Sequence, residues 1–333
     1  MKKLMNNPSN VVDEMIEGYI KAFPKQIRLL EENNRAIVAV REEKEKVGVL
    51  IGGGSGHEPA FMGYVGYGMA DGVAVGNIFA SPSPDPIVEV TKAIDKGQGV
   101  VYIYGNYAGD LMNFGMAAEI ADLEEDIKVE RVIVTDDVAS ASKEEAEKRR
   151  GIAGEFFVTK VAGAAAEKGY SLEEVVRVAN KTNDNTRTMG VGLSPCSLPQ
   201  TGQPSFELAE DEMEIGLGHH GEPGIEKGKL QTADEVVDRL VADILADMPI
   251  ASGEKVAVLV NGLGSTTNME LYIMFRRVEQ ILSEKGIEIH RSFVGSYSTS
   301  LEMGGASVTL TKLDDELAEF IDFTADCPMY TQR

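Results

Sequence analysis

Two of the chain's four histidines, His219 and His220, stand side by side in the stretch Gly216-Leu217-Gly218-His219-His220-Gly221-Glu222-Pro223-Gly224. A third, His57, lies in a passage of similar character, Gly52-Gly53-Gly54-Ser55-Gly56-His57-Glu58-Pro59. Glycine loses more freedom on folding than other residues, so runs of it persist where the backbone must turn left-handed or admit a close neighbour. Imidazoles set among glycines therefore read as groups presented to a ligand, able to bond it or to move its protons. One site built from both loops is the working expectation. The alternative is that each loop is a tight turn whose histidine satisfies a hydrogen-bond network. His219 and His220 are adjacent and point in different directions, so only one of them can face a ligand. His290 sits inside a strand pattern and reads as structural.

A carboxylate occupies a comparable place. Asp110 follows Gly105-Asn106-Tyr107-Ala108-Gly109 at a strand-to-helix junction. There it can cap the helix or take a proton from a hydroxyl. The polar run 261–268 can likewise hold a phosphate at a helix N-terminus or form an ordinary turn.

Spacing argues against several familiar sites. A dinucleotide fingerprint starting at Gly52 needs a glycine where His57 stands. No glycine is followed by Gly-Lys-Ser or Gly-Lys-Thr at phosphate-loop spacing. Gly53-Gly54-Ser55-Gly56-His57 misses the nucleophile elbow at its last position, and His57-Glu58-Pro59 lacks the second histidine of a zincin. The expectation is a chain that carries neither nucleotide nor metal by itself.

The elements that must position these residues alternate. Val12, Met15, Ile16, Tyr19, Ile20 and Phe23 recur at helical spacing after the N-cap candidates Ser9 and Asn10. Strands are expected at 36–40 and 47–51, the second running into the glycines and leaving His57 at a strand's C-terminal end, where ligands bind in open α/β sheets. Ser81-Pro82-Ser83-Pro84-Asp85-Pro86 starts a helix, since proline is tolerated in the first turn. Strands at 99–104 and 129–135 and helices over 156–168 and 172–181 complete βαβ units with a mainly parallel sheet. Further on, strands at 186–193, 213–217, 255–260, 287–296 and 306–313 alternate with helices, one opened by the capping box Thr232-Ala233-Asp234-Glu235. The fold class is α/β, with two α/β domains, each a central sheet flanked by helices. Residues 1–188 would carry His57 and Asp110, and residues 189–333 would carry His220.

Composition narrows the partners. The 333 residues are 43% hydrophobic and 26% charged, as in ordinary globular proteins, and suffice for two cores. A formal charge of −22 and a pI near 4.6 argue against nucleic acid and against anionic membrane surfaces. Cys196 and Cys327 have no metal-ligand spacing, which with the lack of an apolar leader makes a reducing, cytoplasmic setting the default.

Gly52–Pro59, Thr135-Asp136-Asp137-Val138, Gly218–Gly224 and Ser298-Thr299-Ser300-Leu301-Glu302-Met303 together resemble the substrate-binding K subunits of dihydroxyacetone kinases. The resemblance runs from Met1-Lys2-Lys3-Leu4 to the last helix. It implies a two-domain homodimer that binds dihydroxyacetone or a related short-chain ketose. The family's covalent histidine maps onto His220, whose ring nitrogen adds to the ketone to give a hemiaminal; His219 stands where relatives often have an apolar residue. By the same match His57 and Asp110 form the acid–base pair at the accepting hydroxyl, and Gly54 and Ser81 contact substrate. Gly105 stands where many relatives carry lysine, which enlarges the pocket and brings a four-carbon ketose such as erythrulose into view. The resemblance also implies that ATP or ADP with Mg sits on a separate L subunit, recharged by a phosphotransferase-system donor. It admits one rival from another class, a ketone-sensing coactivator of transcription.

Overall fold

The computed structural model describes every residue except 1, 32 and 43. The chain forms two compact units, each assembled from separate stretches: Met1–Val134, Val158–Lys181 and Phe320–Arg333 in the first, Thr135–Phe157 and Thr182–Glu319 in the second.

The first unit opens with α1 (Val11–Ala22), whose buried Val12 and Ile16 share one face, as their spacing predicts. Asn10 is its N-cap, but by backbone position only, since no side-chain bond closes the cap. Next come β1 (Ile27–Leu30), β2 (Asn33–Ala39), β3 (Gly48–Ser55) and β4 (Gly72–Ile78), then α2 (Pro84–Ile94), β5 (Val100–Gly105), α3 (Ala108–Glu125) and β6 (Val129–Val134). The sheet order is β1-β2-β4-β3-β5-β6. Strands β4, β3, β5 and β6 are parallel neighbours, while β1 and β2 extend one edge antiparallel, so the sheet is mixed. Parallel pairing puts the C-terminal ends of β3, β4 and β5 along one edge. Helices α2 and α3 bury Ile87, Val90, Phe114 and Ala117 against Leu50, Ala74 and Tyr102. The buried Tyr102 hydroxyl is satisfied by Thr91 Oγ1 at 2.6 Å.

Helices α4 (Glu155–Glu167) and α5 (Leu172–Asp184) follow. The second unit contains β7 (Thr186–Ser194), β8 (Glu212–Ile215), β9 (Glu226–Lys229), α6 (Ala233–Asp247), β10 (Lys255–Gly262), α7 (Asn268–Glu284), β11 (Glu288–Gly295) and β12 (Gly304–Leu313). A boundary between residues 188 and 189 would cut β7, which is one continuous strand. The sheet order is β11-β10-β12-β7-β8-β9, with β10 and β11 its single parallel pair. On β10 and β12 the period of two is explicit. Val256, Val258, Val260, Val308 and Leu310 meet Leu240, Val241, Leu271 and Val278 of α6 and α7. The other face of β12 carries buried Thr309 and Thr311, whose hydroxyls pair with Thr188 at 2.8 Å and Thr186 at 2.9 Å. Capping boxes start α6 at Thr232–Glu235, as expected, and α7 at Thr267–Glu270. The chain closes with α8 (Asp315–Asp322), β13 (Ala325–Asp326) and β14 (Thr331–Gln332).

Candidate functional site

In the first unit, β3 delivers His57 just beyond its C-terminal end, and the ring is buried at 3% exposure. It stacks on Phe79, with centroids 5.1 Å apart and planes 21° from parallel, and meets Phe61 edge-on at 6.4 Å. Apolar walls of this kind hold an imidazole in one orientation and keep water from its faces. The neighbouring Glu58 accepts the Gly56 N–H with both carboxylate oxygens, at 3.0 and 3.1 Å. Burial raises its pKa against those backbone donors. A Cβ on Gly54 would stand 2.7 Å from the Ala80 nitrogen and 2.9 Å from the Phe79 Cα, so only glycine lets the β3 end pass the segment that carries the stacking ring.

Asp110 does not cap its helix. Tyr107 is the N-cap of α3, and Asp110 lies buried in the first helical turn. Gly105 ends β5, and Ser81 lies after β4, its hydroxyl donating to the Pro82 carbonyl at 3.3 Å. A Cβ on Gly109 would come within 3.2 Å of Ser81 Cβ, so the start of α3 abuts that loop. Gly54, His57, Ser81, Gly105 and Asp110 thus share the C-terminal edge of the parallel strands.

In the second unit, the glycine-rich stretch is the loop of the antiparallel β8–β9 hairpin, at the edge of its sheet. The turn is closed by Gly218 N–H to the Glu222 carbonyl at 2.9 Å and Gly221 N–H to the Gly218 carbonyl at 3.0 Å. The two adjacent histidines do diverge, their ring planes 79° apart. His219 is buried, with Nε2 3.0 Å from Ser298 Oγ. His220 keeps 24% of its side chain exposed. Glu222 grips it twice, accepting the His220 backbone N–H at 2.9 Å and lying 3.1 Å from ring Nδ1. Burial would raise the Glu222 carboxyl, but the hydrogen bond and charge of the His220 ring, with backbone donors, hold it down to about 2. An ionised carboxylate facing Nδ1 favours a proton on that nitrogen. In both glycine loops, then, the glutamate before the proline folds back on the N–H two residues earlier. Glu222 is the member of this arrangement that spacing alone did not single out.

The Ser298–Met303 segment meets this loop through Ser298, whose hydroxyl lies on His219. Buried Asn261 accepts the Tyr297 and Ser298 N–H groups at 2.8 and 2.9 Å and donates to the Ser298 carbonyl at 2.7 Å. Asn261, inside β10, is thereby committed to the fold.

His219 makes one measurable prediction. Burial, then the charge of His220, push its pKa down from 6.5 to about 3. The folded chain therefore binds fewer protons than the unfolded chain between those values, and stability drops as pH falls below 6.5. The slope from this one group approaches 1.4 kcal/mol per pH unit. Denaturant titrations from pH 7 to 4 should show a shallower loss for His219→Asn than for the native chain; equal slopes would contradict the assignment.

A Dak1 domain model matches residues 17–329. The chain is 48% identical over 331 residues to the dihydroxyacetone-binding subunit of a PTS-dependent dihydroxyacetone kinase from Listeria innocua, covering 99% of each. It is 42% identical to an L-erythrulose kinase of Pectobacterium atrosepticum, covering 99% of this chain and 56% of that one. Among solved structures, it resembles the dihydroxyacetone kinase of C. freundii at a TM-score of 0.92 and 34% identity, covering 99% of this chain and 60% of that one. It also resembles a dihydroxyacetone kinase operon co-activator at a TM-score of 0.89 and 32% identity, covering 96% and 98%. Among the described residues, no helix is long and apolar enough to cross a membrane.

Proposed function

Because the chain belongs to the Dak1 family, we propose that it is the ketose-holding subunit of a cytoplasmic dihydroxyacetone-type kinase, working with a separate nucleotide-bearing subunit. The observation that carries the reading is the partly exposed His220 ring, with Glu222 lying at its Nδ1; in this reading Nε2 is the nitrogen that bonds carbon. That nitrogen adds to the ketone carbon; the carbonyl electron pair moves to oxygen, which is protonated, giving a hemiaminal. A ketose has so few atoms that contacts worth at most about 1.5 kcal/mol each leave little with which to reject glycerol. A reversible bond to carbonyl carbon separates ketone from alcohol by chemistry instead. Asp110, with His57, then takes the proton of the accepting hydroxyl as the phosphoryl group arrives in line. ATP or ADP with Mg belongs to the partner L subunit in this reading, and a phosphotransferase-system donor recharges it; the Listeria innocua relative, itself named a PTS-dependent subunit, supports that division.

The purified chain with ATP and dihydroxyacetone should give no phosphorylated product, and adding a nucleotide-bearing L subunit with its donor should restore turnover. Turnover by the chain alone would overturn the division of labour. A second substrate is favoured by Gly105 together with the 42% identity to an L-erythrulose kinase. Direct competition between dihydroxyacetone and erythrulose in the reconstituted system decides between them by kcat/KM.

A further inference from the structure

Thr135-Asp136-Asp137-Val138 marks the chain as strongly as the glycine loops do, yet none of these residues has a part in the chemistry above. The geometry points to Asp137 and Arg150 as positioning residues for His220, acting through Glu222; the inference deepens the proposed function and rests on it. Asp137 Oδ2 accepts Arg150 Nε–H at 3.0 Å, while Oδ1 accepts the Ala139 N–H at 3.1 Å. The two segments are tied again: the Asp137 N–H donates to the Arg150 carbonyl at 3.1 Å, and the Arg150 N–H donates to the Ser140 side-chain Oγ at 3.0 Å. From this anchor, Arg150 Nη1 reaches to 3.9 Å from Glu222 Oε2, the oxygen that also accepts the His220 N–H. The other Glu222 oxygen faces ring Nδ1.

Side-chain exposure rises from 3% at Asp137 through 18% at Arg150 to 31% at Glu222, and His220 keeps 24%. The fixed end is buried, and the working end is wet. Gly218 is an independent sign that this meeting matters to the loop. A Cβ there would stand 2.3 Å from Glu222 Oε2 and 2.8 Å from Arg150 Nη1, so the absent side chain is what leaves room for the pair.

The strap has a chemical consequence. When Nε2 bonds to the ketone carbon, the carbonyl pair moves to oxygen and takes a proton from solvent, and the ring, still protonated at Nδ1, becomes cationic. Glu222 is the counter-ion to that cation. A carboxylate with Oε1 at the ring and Oε2 bonded to the His220 N–H, with Arg150 as an ion-pair neighbour at 3.9 Å, is already in place before the bond forms, so no reorientation opposes it.

Arg150→Met and the near-isosteric Asp137→Asn in the full chain test this, with Arg150→Lys as the conservative control. Nitrogen-15 NMR of the ligand-free proteins reads the His220 tautomer, and intact mass across a dihydroxyacetone titration reads adduct occupancy. Arg150→Met should reduce the Nδ1–H tautomer and weaken the adduct by about tenfold or more, the usual scale for losing a partner that orients a functional histidine. Asp137→Asn should move both readouts the same way by less, and Arg150→Lys should recover part of each. Folded Arg150→Met with the native tautomer and native adduct affinity overturns the strap. If the native chain forms no adduct, the hemiaminal reading fails, and the tautomer shift between native and Arg150→Met chains still decides the strap.

Discussion

His220→Ala is expected to abolish the ketose adduct and to lower turnover, measured with the complete set of partner subunits, by roughly 10⁴-fold or more, the scale on which removing a covalent catalytic group acts. The loss belongs to one atom. His219 cannot substitute, because its ring is buried on Ser298 and its plane lies 79° from that of His220. Truncation also leaves Glu222 without the ring it faces, while the backbone N–H of residue 220 still satisfies one of its oxygens. The fold should therefore survive, and an unchanged circular dichroism melt would assign the effect to chemistry. Retention of more than about a tenth of native turnover would rule out the covalent role, since a tenfold effect is only about 1.4 kcal/mol.

Asp110→Asn is expected to separate capture from transfer. The amide keeps the shape and position of the side chain in the first turn of α3 but cannot accept the hydroxyl proton. Turnover should fall by about 10² to 10⁴-fold, the span ordinarily supplied by a positioned general base. Adduct formation, read by intact mass, should persist because it depends on His220. The same variant distinguishes an enzyme from a ketone sensor. A co-activator needs the ketone held and nothing more, so a chain whose Asp110→Asn form kept its full biological output would belong to that second class. The likeness to a solved operon co-activator makes this comparison worth running.

Much of the fold was legible where residue pattern and local chemistry agree. The capping box at Thr232, the proline start of α2 and the valine alternation of β10 each state a local preference that the tertiary structure keeps. Strand β4 escaped notice because Gly72, Gly76 and Asn77 interrupt its short run of Val73, Ala74 and Val75, although it pairs between β2 and β3 inside the first sheet. The short β9, Glu226-Lys227-Gly228-Lys229, is polar throughout and is a strand through its hairpin with β8. The direction of strands in the second sheet was also beyond local pattern, because the same alternation serves parallel and antiparallel ladders.

The candidate site divides along the same line. Histidines among glycines pointed to themselves, and the divergence of His219 from His220 followed from adjacency alone. What sequence could not supply was the pairing of charges distant along the chain. Nothing in the spacing of Asp137, Arg150 and Glu222 foretells that Arg150 meets both carboxylates. Asp110 offered two roles at a helix start, and only the structure, by giving the cap position to Tyr107, removed the first.

The most direct test of the account is carbon-13 NMR of dihydroxyacetone labelled at its carbonyl, bound to the full chain labelled with nitrogen-15 at histidine. The account predicts that the bound carbon becomes tetrahedral and shows a one-bond coupling to Nε2 of His220, lost in His220→Ala. A saturated complex in which the carbon stays a ketone, or couples to no histidine nitrogen, would contradict it.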